Sequence, residues 1–435
     1  MTHRVLGVVL VSVVTQATGV ALAQTMPQEC SVAGQNTFVA NVMRKVYLWY
    51  QEIPTSDPAS YSSPERYLEA VRFRPLDETF SHITSKVEND AFFDESRFVG
   101  IGFGMLQIGS DLRVTQVFPE SPAAEAGLRR GDYLLSFNQR LVSDLLESGE
   151  VGEELGPSTV GYQVTLEWRT VRGDEHSALV EKGPVTIPPV SHTAILDVDG
   201  SPPVGYLHFR NFVRPSFQAL DIAFAKFRKQ GVRDIVLDLR YNGGGLVSVA
   251  THLASLIGGT QTASQTFLQY RFNSMLTVFN QNVPFTNPVE SIDAPRVVII
   301  GSRATASASE LIINGLRPFV DVSLVGRRTF GKPVGQIPFD FCDKVLLPVS
   351  FDTVNALGEG EYYDGLEPDC PMRDGLGHSL GNPKEARLNE ALHLLAAGTC
   401  TADSEGEKLR TKSRAFARPI PPLGGSTLRQ VINAW

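Results

Sequence analysis

The 435-residue chain has few cysteines and lacks the runs that mark membrane-spanning or nucleic-acid-binding proteins. It holds four cysteines, with neither a CxxC nor an HExxH spacing, so no metal site is expected. The formal net charge is −8 and no long basic run occurs, so a nucleic-acid partner is not expected. Repeats and low-complexity tracts are absent. With 42% hydrophobic residues, the composition is that of a globular protein. The length of 435 residues is enough for two or three domains.

The longest apolar run, Val5–Val14, lies at the N-terminus behind His3 and Arg4. Ala21-Leu22-Ala23 follows as an A-x-A cleavage site, and the run is too short to span a bilayer comfortably. We therefore predict a signal peptide over residues 1–23. The mature chain would have no stable membrane span and would be periplasmic or secreted.

The four cysteines remain after this cleavage: Cys30, Cys342, Cys370 and Cys400. An even number in an exported chain predicts disulfides, and four cysteines allow three pairings. Cys342 and Cys370 flank an apparent strand and turn, which favours pairing them. Cys30 and Cys400 would then join the two ends of the mature chain.

The hydrophobic pattern divides the rest of the chain. Residues 24–94 are predicted to be helical, with Phe38, Val42, Val46 and Trp49 on one core-facing stripe. Residues 95–190 change to short strands and glycine turns. In residues 191–400, strands alternate with helices, which predicts an α/β domain with a largely parallel sheet. Residues 345–354 form one late strand in this interpretation, and residues 401–435 a tail.

Three segments of the α/β region carry residues suited to one reaction. The first is a glycine-rich turn after a buried strand, Asp238–Leu246; the second is a serine turn, Ala304–Glu310; the third is Gly326–Gln336, which contains Lys332. Serine is a poor nucleophile until a base removes its proton, and a neutral lysine can be that base. Taken singly, the serine could only cap a helix, the lysine could be one solvated charge, and the glycines an ordinary turn.

Taken together, these segments predict a Ser-Lys hydrolase. Ser307 would be the nucleophile, with Ser309 as its competitor, and burial would lower the pKa of Lys332. Gln336 could hold the lysine nitrogen. Backbone N–H groups of Gly244 or Gly245 and of Ala308 would stabilise an oxyanion. Glu310 is expected to support the first helical turn rather than to act in catalysis. No histidine is expected beside the serine; His192 and His208 are interpreted as structural.

The phrase SPAAEAGLRRGDYLLSFN resembles a PDZ domain. The resemblance implies that the preceding loop, consisting of Gly100, Ile101, Gly102, Phe103 and Gly104, receives the terminal carboxylate of a peptide. The edge of the adjoining strand would pair with the peptide backbone.

The phrases DLRYNGGGL, ATASASE and TFGKPVGQ resemble the C-terminal processing (tail-specific) protease family, in the family's order. The resemblance implies a ClpP/crotonase-like protease core, an α/β fold with a central sheet and flanking helices, plus an inserted PDZ-like domain and an N-terminal helical region. It assigns the nucleophile to Ser307, the base to Lys332 and the supporting glutamine to Gln336. Pro333 departs from the pattern, because the family commonly has glycine there.

The implied function is an exported endopeptidase that needs no cofactor and cleaves polypeptides with apolar C-termini. Peptide binding would move the PDZ-like module and complete the active site. The alternatives are a catalytically silent peptide-binding scaffold and a Ser-Lys amidase or esterase for small substrates. The sequence leaves open the physiological substrate, the cleavage site, the oligomeric state and any activating partner.

Overall fold

The computed structural model describes residues 27, 29–198 and 202–402. The predicted signal peptide, residues 1–23, lies outside the described residues, as does the predicted tail beyond residue 402. The division into domains at residues 94/95, 190/191 and 400/401 stays a prediction. Among the described helices, none combines the length and the apolar character that a bilayer span requires.

The described residues contain α-helices in the N-terminal, β-rich and α/β regions. They span Val32–Val46, Pro64–Val71, Lys86–Glu95, Pro122–Glu125, Val142–Ser148, Val151–Leu155, Ser216–Lys229, Val247–Thr262, Ala308–Leu316 and Ala386–Ala397. The strands, in chain order, span His82–Ser85, Arg97–Gly100, Phe103–Ile108, Asp111–Val117, Tyr133–Phe137, Arg140–Leu141, Gln163–Arg169, Glu175–Glu181, Gly183–Thr186, Val190–Leu196, Val204–Phe209, Asp234–Asp238, Thr266–Phe272, Gln281–Pro284, Arg296–Gly301, Asp321–Gly326, Val334–Gln336, Phe339–Phe341, Lys344–Leu347, Val349–Val354 and Cys370–Pro371.

A six-stranded sheet forms the centre of the α/β region. Its first pair is antiparallel and the remaining pairs are parallel, which confirms the predicted largely parallel sheet. Successive side chains point to opposite faces, so Leu237 packs against the helices of residues 216–316 whereas Val236 packs against helix Ala386–Ala397. Two apolar cores therefore cover the sheet, and its strand ends hold the turns at residues 239–246 and 302–307 close together.

The β-rich region folds around its own core and contains a sheet whose edge strand is Phe103–Ile108. The predicted loop begins where strand Arg97–Gly100 ends. Gly102 adopts a φ of +94°, and a Cβ there would lie 2.2 Å from the Cβ of Ser121, so only glycine fits this turn. An unpaired edge beside a glycine turn is the geometry that can receive a peptide strand.

The N-terminal helical region packs against residues 334–349 of the α/β region. Helix Val32–Val46 buries Phe38, Val42 and Val46, as predicted, but it ends before Trp49, which packs against the same core from a separate turn. The region also contains the unpredicted strand His82–Ser85, which pairs with Lys344–Leu347. The expected single strand over residues 345–354 is wrong. Pro348 separates two strands that belong to different sheets, because proline cannot donate to a ladder.

The favoured disulfide pairing is also wrong. Cys30 bonds to Cys342, and Cys370 bonds to Cys400. The strand that follows Cys342 runs along His82–Ser85, close to the N-terminal helix, whereas Cys370 lies in the central sheet beside the closing helix. Tertiary packing, rather than proximity along the chain, therefore decides the partners.

We expect each disulfide to stabilise the fold. Bridging two cysteines removes conformations from the unfolded chain, and a separation of 30 residues is worth about 3.6 kcal/mol on this basis, with more for a separation of 312. The paired substitutions Cys370→Ser with Cys400→Ser and Cys30→Ser with Cys342→Ser should each lower the urea midpoint, the second pair more. Equal midpoints for oxidised and reduced wild-type protein would contradict this expectation.

Candidate active site

Ser307 stands at the point where a buried strand turns into a helix. It precedes helix Ala308–Leu316 with φ 55° and ψ −116°, a conformation that costs energy for a residue other than glycine. Its side chain is half-buried at the cleft, and the turn leaves the N–H of Ala308 in the first helical position, where no intrahelical acceptor exists. Strained turns of this kind expose the nucleophilic serine in α/β-hydrolases.

The competing serine has a structural role. Ser309 is fully buried, and its hydroxyl donates to the carbonyl of Asn242 at 2.9 Å. The same carbonyl accepts from the Ala306 N–H at 3.2 Å. Asn242 thus joins the glycine turn to the serine turn, a role that the sequence analysis missed although the residue lies inside a motif.

The glycine turn passes directly against Ser307. A Cβ on Gly244 would lie 2.9 Å from the Cβ of Ser307, so the close approach requires glycine. The N–H of Gly244 donates to the side chain of Asn242 at 2.9 Å. Gly245 and Ala308 line the cleft beside Ser307. Of the two predicted glycine donors, Gly245 is therefore the one that lines the cleft.

Lys332 is buried at the same cleft. Its ammonium nitrogen Nζ donates to Oε1 of Gln336 at 2.7 Å and lies 5.6 Å from the centre of the Phe80 ring. Burial lowers the pKa of Lys332 to about 8, although the negative charges of Asp77 and Glu310 oppose the shift. A substantial fraction of this lysine is therefore neutral at mildly alkaline pH, as a proton acceptor must be.

Gln336 is itself fixed, so that its carbonyl oxygen faces the lysine. Its amide nitrogen donates to the backbone carbonyls of Phe80 at 2.6 Å and Leu347 at 3.0 Å. Backbone carbonyls can only accept hydrogen bonds, so the atom of Gln336 that faces them must be the amide nitrogen. The amide oxygen therefore faces Lys332. The proline at position 333 leaves this arrangement in place, because its carbonyl pairs with the Thr353 N–H at 3.1 Å and the strand needs no N–H from it.

Glu310 joins the serine turn to the lysine turn. One carboxylate oxygen accepts the backbone N–H of Ser307 at 2.9 Å and that of Lys332 at 2.8 Å. The other accepts the Gly331 N–H at 2.7 Å and the Thr329 hydroxyl at 2.5 Å. The side chain is fully buried, and burial raises its pKa while these donors oppose the rise. The sequence analysis expected Glu310 to support only its own helical turn. In the structure Glu310 also holds the lysine turn.

Ser307, Lys332 and Gln336 line one cleft of about 470 Å³. Apolar walls flank the serine, formed by Leu246, Leu311 and Phe351 among others. His82 also lines this cleft and lies 3.4 Å from the Gln336 amide nitrogen, a position that the sequence analysis did not predict. Its strand was not predicted, and no local pattern marks it. His192 and His208 are not among the described residues that line the cleft.

The β-rich region contacts the glycine turn through Arg130, whose side chain is 10% exposed. Arg130 donates to the Tyr241 hydroxyl at 2.6 Å and to Asp374 at 2.9 Å. Tyr241 belongs to the glycine turn, and Asp374 also binds Arg240 of the same turn at 2.9 Å. A displacement of the β-rich region would therefore act on the turn that contacts Ser307.

Protein-family models match three ranges of the chain. Residues 203–372 match the model of peptidase family S41, and residues 34–82 match the peptidase S41 N-terminal domain. Residues 113–168 match a PDZ domain.

Individual relatives show the same likeness. A protein described as a CtpA-like serine protease of Staphylococcus saprophyticus is 25% identical over 86% of this chain and 74% of its own length. A chloroplastic C-terminal processing peptidase of Tetradesmus obliquus is 30% identical over 54% of this chain and 51% of its own length. A crystal structure described as an S41 protease of Bacteroides fragilis superimposes with a TM-score of 0.67 at 26% identity, covering 83% of this chain and 97% of that one.

Proposed function

Since the chain belongs to the peptidase S41 family and carries a PDZ domain, we propose that it is an exported serine endopeptidase with a Ser-Lys dyad. Ser307 is the nucleophile and Lys332 the general base. The observation that carries this assignment is the buried Lys332, whose pKa is lowered to about 8 at the cleft that Ser307 also lines. Export is supported by the N-terminal apolar run and by two disulfides, which persist in oxidising compartments.

The reaction follows from these positions. Neutral Lys332 takes the hydroxyl proton of Ser307 as its oxygen bonds to the scissile carbonyl carbon. The N–H groups of Ala308 and Gly245 donate to the resulting oxyanion. When the carbon–nitrogen bond breaks, Lys332 returns the proton to the leaving amine. Lys332 then takes a proton from a water molecule as its oxygen bonds to the acyl carbon. The bond between that carbon and the Ser307 oxygen breaks, the new carboxyl terminus leaves, and Lys332 returns the proton to Ser307.

The PDZ domain supplies the preference for polypeptide tails. The loop of Gly100, Ile101, Gly102, Phe103 and Gly104 receives the terminal carboxylate, and the edge of Phe103–Ile108 pairs with the tail. Arg130 connects this domain to the glycine turn, so binding of a tail can favour the position in which the oxyanion donors are set. A catalytically silent scaffold would have no need for a lysine with a lowered pKa at the cleft that the serine lines.

Cleavage is expected to depend on the tail. An unfolded protein that ends in apolar residues should be cut faster than the same protein with a C-terminal run of aspartates, and Ser307→Ala should cut neither. Cleavage is measured by gel electrophoresis and the site by mass spectrometry. Activity that persists in Ser307→Ala would refute the dyad.

The variant Arg130→Met tests whether binding of the C-terminal tail by the PDZ domain is coupled to cleavage at the active site. Asp374 keeps Arg240 as its partner in this variant, so the fold should persist. We expect the preference for the apolar tail to shrink towards unity while a short tailless peptide is cut at a similar rate. An unchanged tail preference would remove Arg130 from the coupling route.

A further inference from the structure

A line of apolar side chains leads out of the cleft along a four-stranded sheet. The sheet has the order Gln281–Pro284, Thr266–Phe272, Val349–Val354, Val334–Gln336. Phe351 lines the cleft, and its ring lies over Gly335, where a Cβ would stand 2.1 Å from the ring. Phe272 is directly opposite Phe351 in the ladder, so the two side chains share a face of the sheet.

Aromatic contacts continue this line away from Ser307. The rings of Phe351 and Phe272 lie 5.5 Å apart, and those of Phe272 and Phe279 lie 6.1 Å apart. Phe272 and Phe279 are half-buried, and the neighbouring Val278 is 83% exposed. We call Phe351, Phe272, Phe279 and Val278 the aromatic strip. Beyond Phe351 it is long enough for about three residues of an extended chain.

The loop that ends the strip is fixed by hydrogen bonds and exposes apolar side chains. Asn273 is buried, and its amide donates to the carbonyls of Lys45 at 3.1 Å and Tyr47 at 3.0 Å. The side chain of Asn280 accepts the Phe272 N–H at 2.8 Å. These bonds fix the loop while Met275 and Val278 remain exposed. Apolar side chains that are exposed from a fixed loop indicate an interaction surface.

The charge pattern indicates what binds there. Residues 272–289 contain no aspartate, glutamate, lysine, arginine or histidine. This segment offers no charged side chain for an ion pair with a partner. It does offer apolar side chains that an uncharged apolar segment can pack against. Because the aromatic strip begins at a wall of the cleft, a polypeptide that occupies the cleft can continue directly onto it.

We propose that the aromatic strip is an accessory substrate subsite, which binds an extended segment of the polypeptide a few residues from the bond that is cut. The occupant carries uncharged, bulky apolar side chains. This inference rests on the proposed peptidase function and adds a second sequence requirement to it, separate from the C-terminal tail that the PDZ domain captures.

Matched peptides test the subsite. A cleavage site is first mapped in an unfolded protein, and a short peptide containing only its central residues is prepared. This peptide is then extended at either end by an apolar segment or by a serine- and asparagine-rich segment of equal length. The wild type should cut one apolar extension with a kcat/KM about tenfold above its polar counterpart, a ratio within reach of one buried aromatic contact.

Variants locate the effect. Val278→Ser and the double variant Val278→Ser with Phe279→Ser should reduce the preference to less than about twofold, and both should cut the unextended peptide like the wild type. Leu357→Ser is the matched control, because Leu357 is also exposed, at 69%, but lies beyond the opposite end of strand Val349–Val354. It should keep the preference. Melting curves verify that the variants are folded.

Three results would overturn the proposal. The wild type could show no preference between extensions, or the variants could retain it. Sedimentation could show that Val278→Ser dissociates a dimer, which would make the strip an interface between copies of this chain. Failure of the peptidase function would look different, because the unextended peptide would remain uncut and Ser307 would not react with a fluorophosphonate; that result would refute both proposals.

Discussion

Replacement of Lys332 by methionine should lower kcat/KM for a short peptide by about a thousandfold, within the range that general acid–base catalysis supplies. Methionine fills a similar volume in the buried site but cannot accept the proton of Ser307. The wild-type kcat/KM should rise with pH through an apparent pKa near 8, because burial lowers the pKa of Lys332 to about 8 and only the neutral amine acts as base. Peptide hydrolysis measured across pH checks both statements.

The chain offers a matched control for this substitution. Lys182 is also buried, and burial lowers its pKa to about 8 as well, but its nitrogen donates to the carbonyls of Gly156 and Pro157 within the PDZ domain. Lys182→Met should therefore leave hydrolysis of a short peptide nearly unchanged. The single variant Ser307→Ala should be as inactive as Lys332→Met. The double variant, which carries both substitutions, should be no less active than either single variant, because the two groups act as one unit. Additive losses would indicate independent roles.

We expect Glu310→Gln to lower both activity and stability, with the second-largest loss of activity after Lys332→Met. The carboxylate accepts three backbone N–H groups and one hydroxyl, whereas a glutamine can accept through one oxygen only and brings an amide that donates. Buried N–H groups without acceptors cost about 2 kcal/mol or more of folding free energy. Ser307 and Lys332 would also lose their common anchor, and a displacement near 1 Å is enough to reduce the rate about a hundredfold.

Glu390→Gln provides the comparison for Glu310→Gln. Glu390 is likewise buried, but it accepts from Thr401 near the closing helix, away from the cleft. It should lose some stability in urea and little activity. If Glu310→Gln lost stability but kept kcat, with both catalytic side chains unaffected, Glu310 would be a structural residue only and its positioning role would be wrong.

The sequence predicted those features that local patterns determine. The predicted alternation of strands and helices in the α/β region is observed, for example in the strand Val204–Phe209 and the helix Ser216–Lys229 that follows it. Apolar periodicity and buried strands can be recognised directly in the residues. The Ser309 hydroxyl donates to the carbonyl of Asn242, which supports the choice of Ser307 as the proposed nucleophile. The catalytic roles themselves remain proposals.

Other features depend on contacts between distant segments. The disulfide pairing follows from how the N-terminal helix and the closing helix pack, which no cysteine spacing records. His82 reaches the cleft on a short strand that exists only because Lys344–Leu347 pairs with it. Glu310 was assigned to its own helical turn, since the sequence shows its distance from Ser307 but not that Lys332 folds back onto the same carboxylate.

Labelling with a fluorophosphonate tests the central claim most directly. The full chain is treated with the reagent over a range from neutral to alkaline pH, and the modified residue is identified by mass spectrometry. We predict modification of Ser307 at a rate that rises with an apparent pKa near 8, and no modification in Lys332→Met. Labelling of another serine, or a rate at Ser307 that does not depend on Lys332, would contradict the dyad.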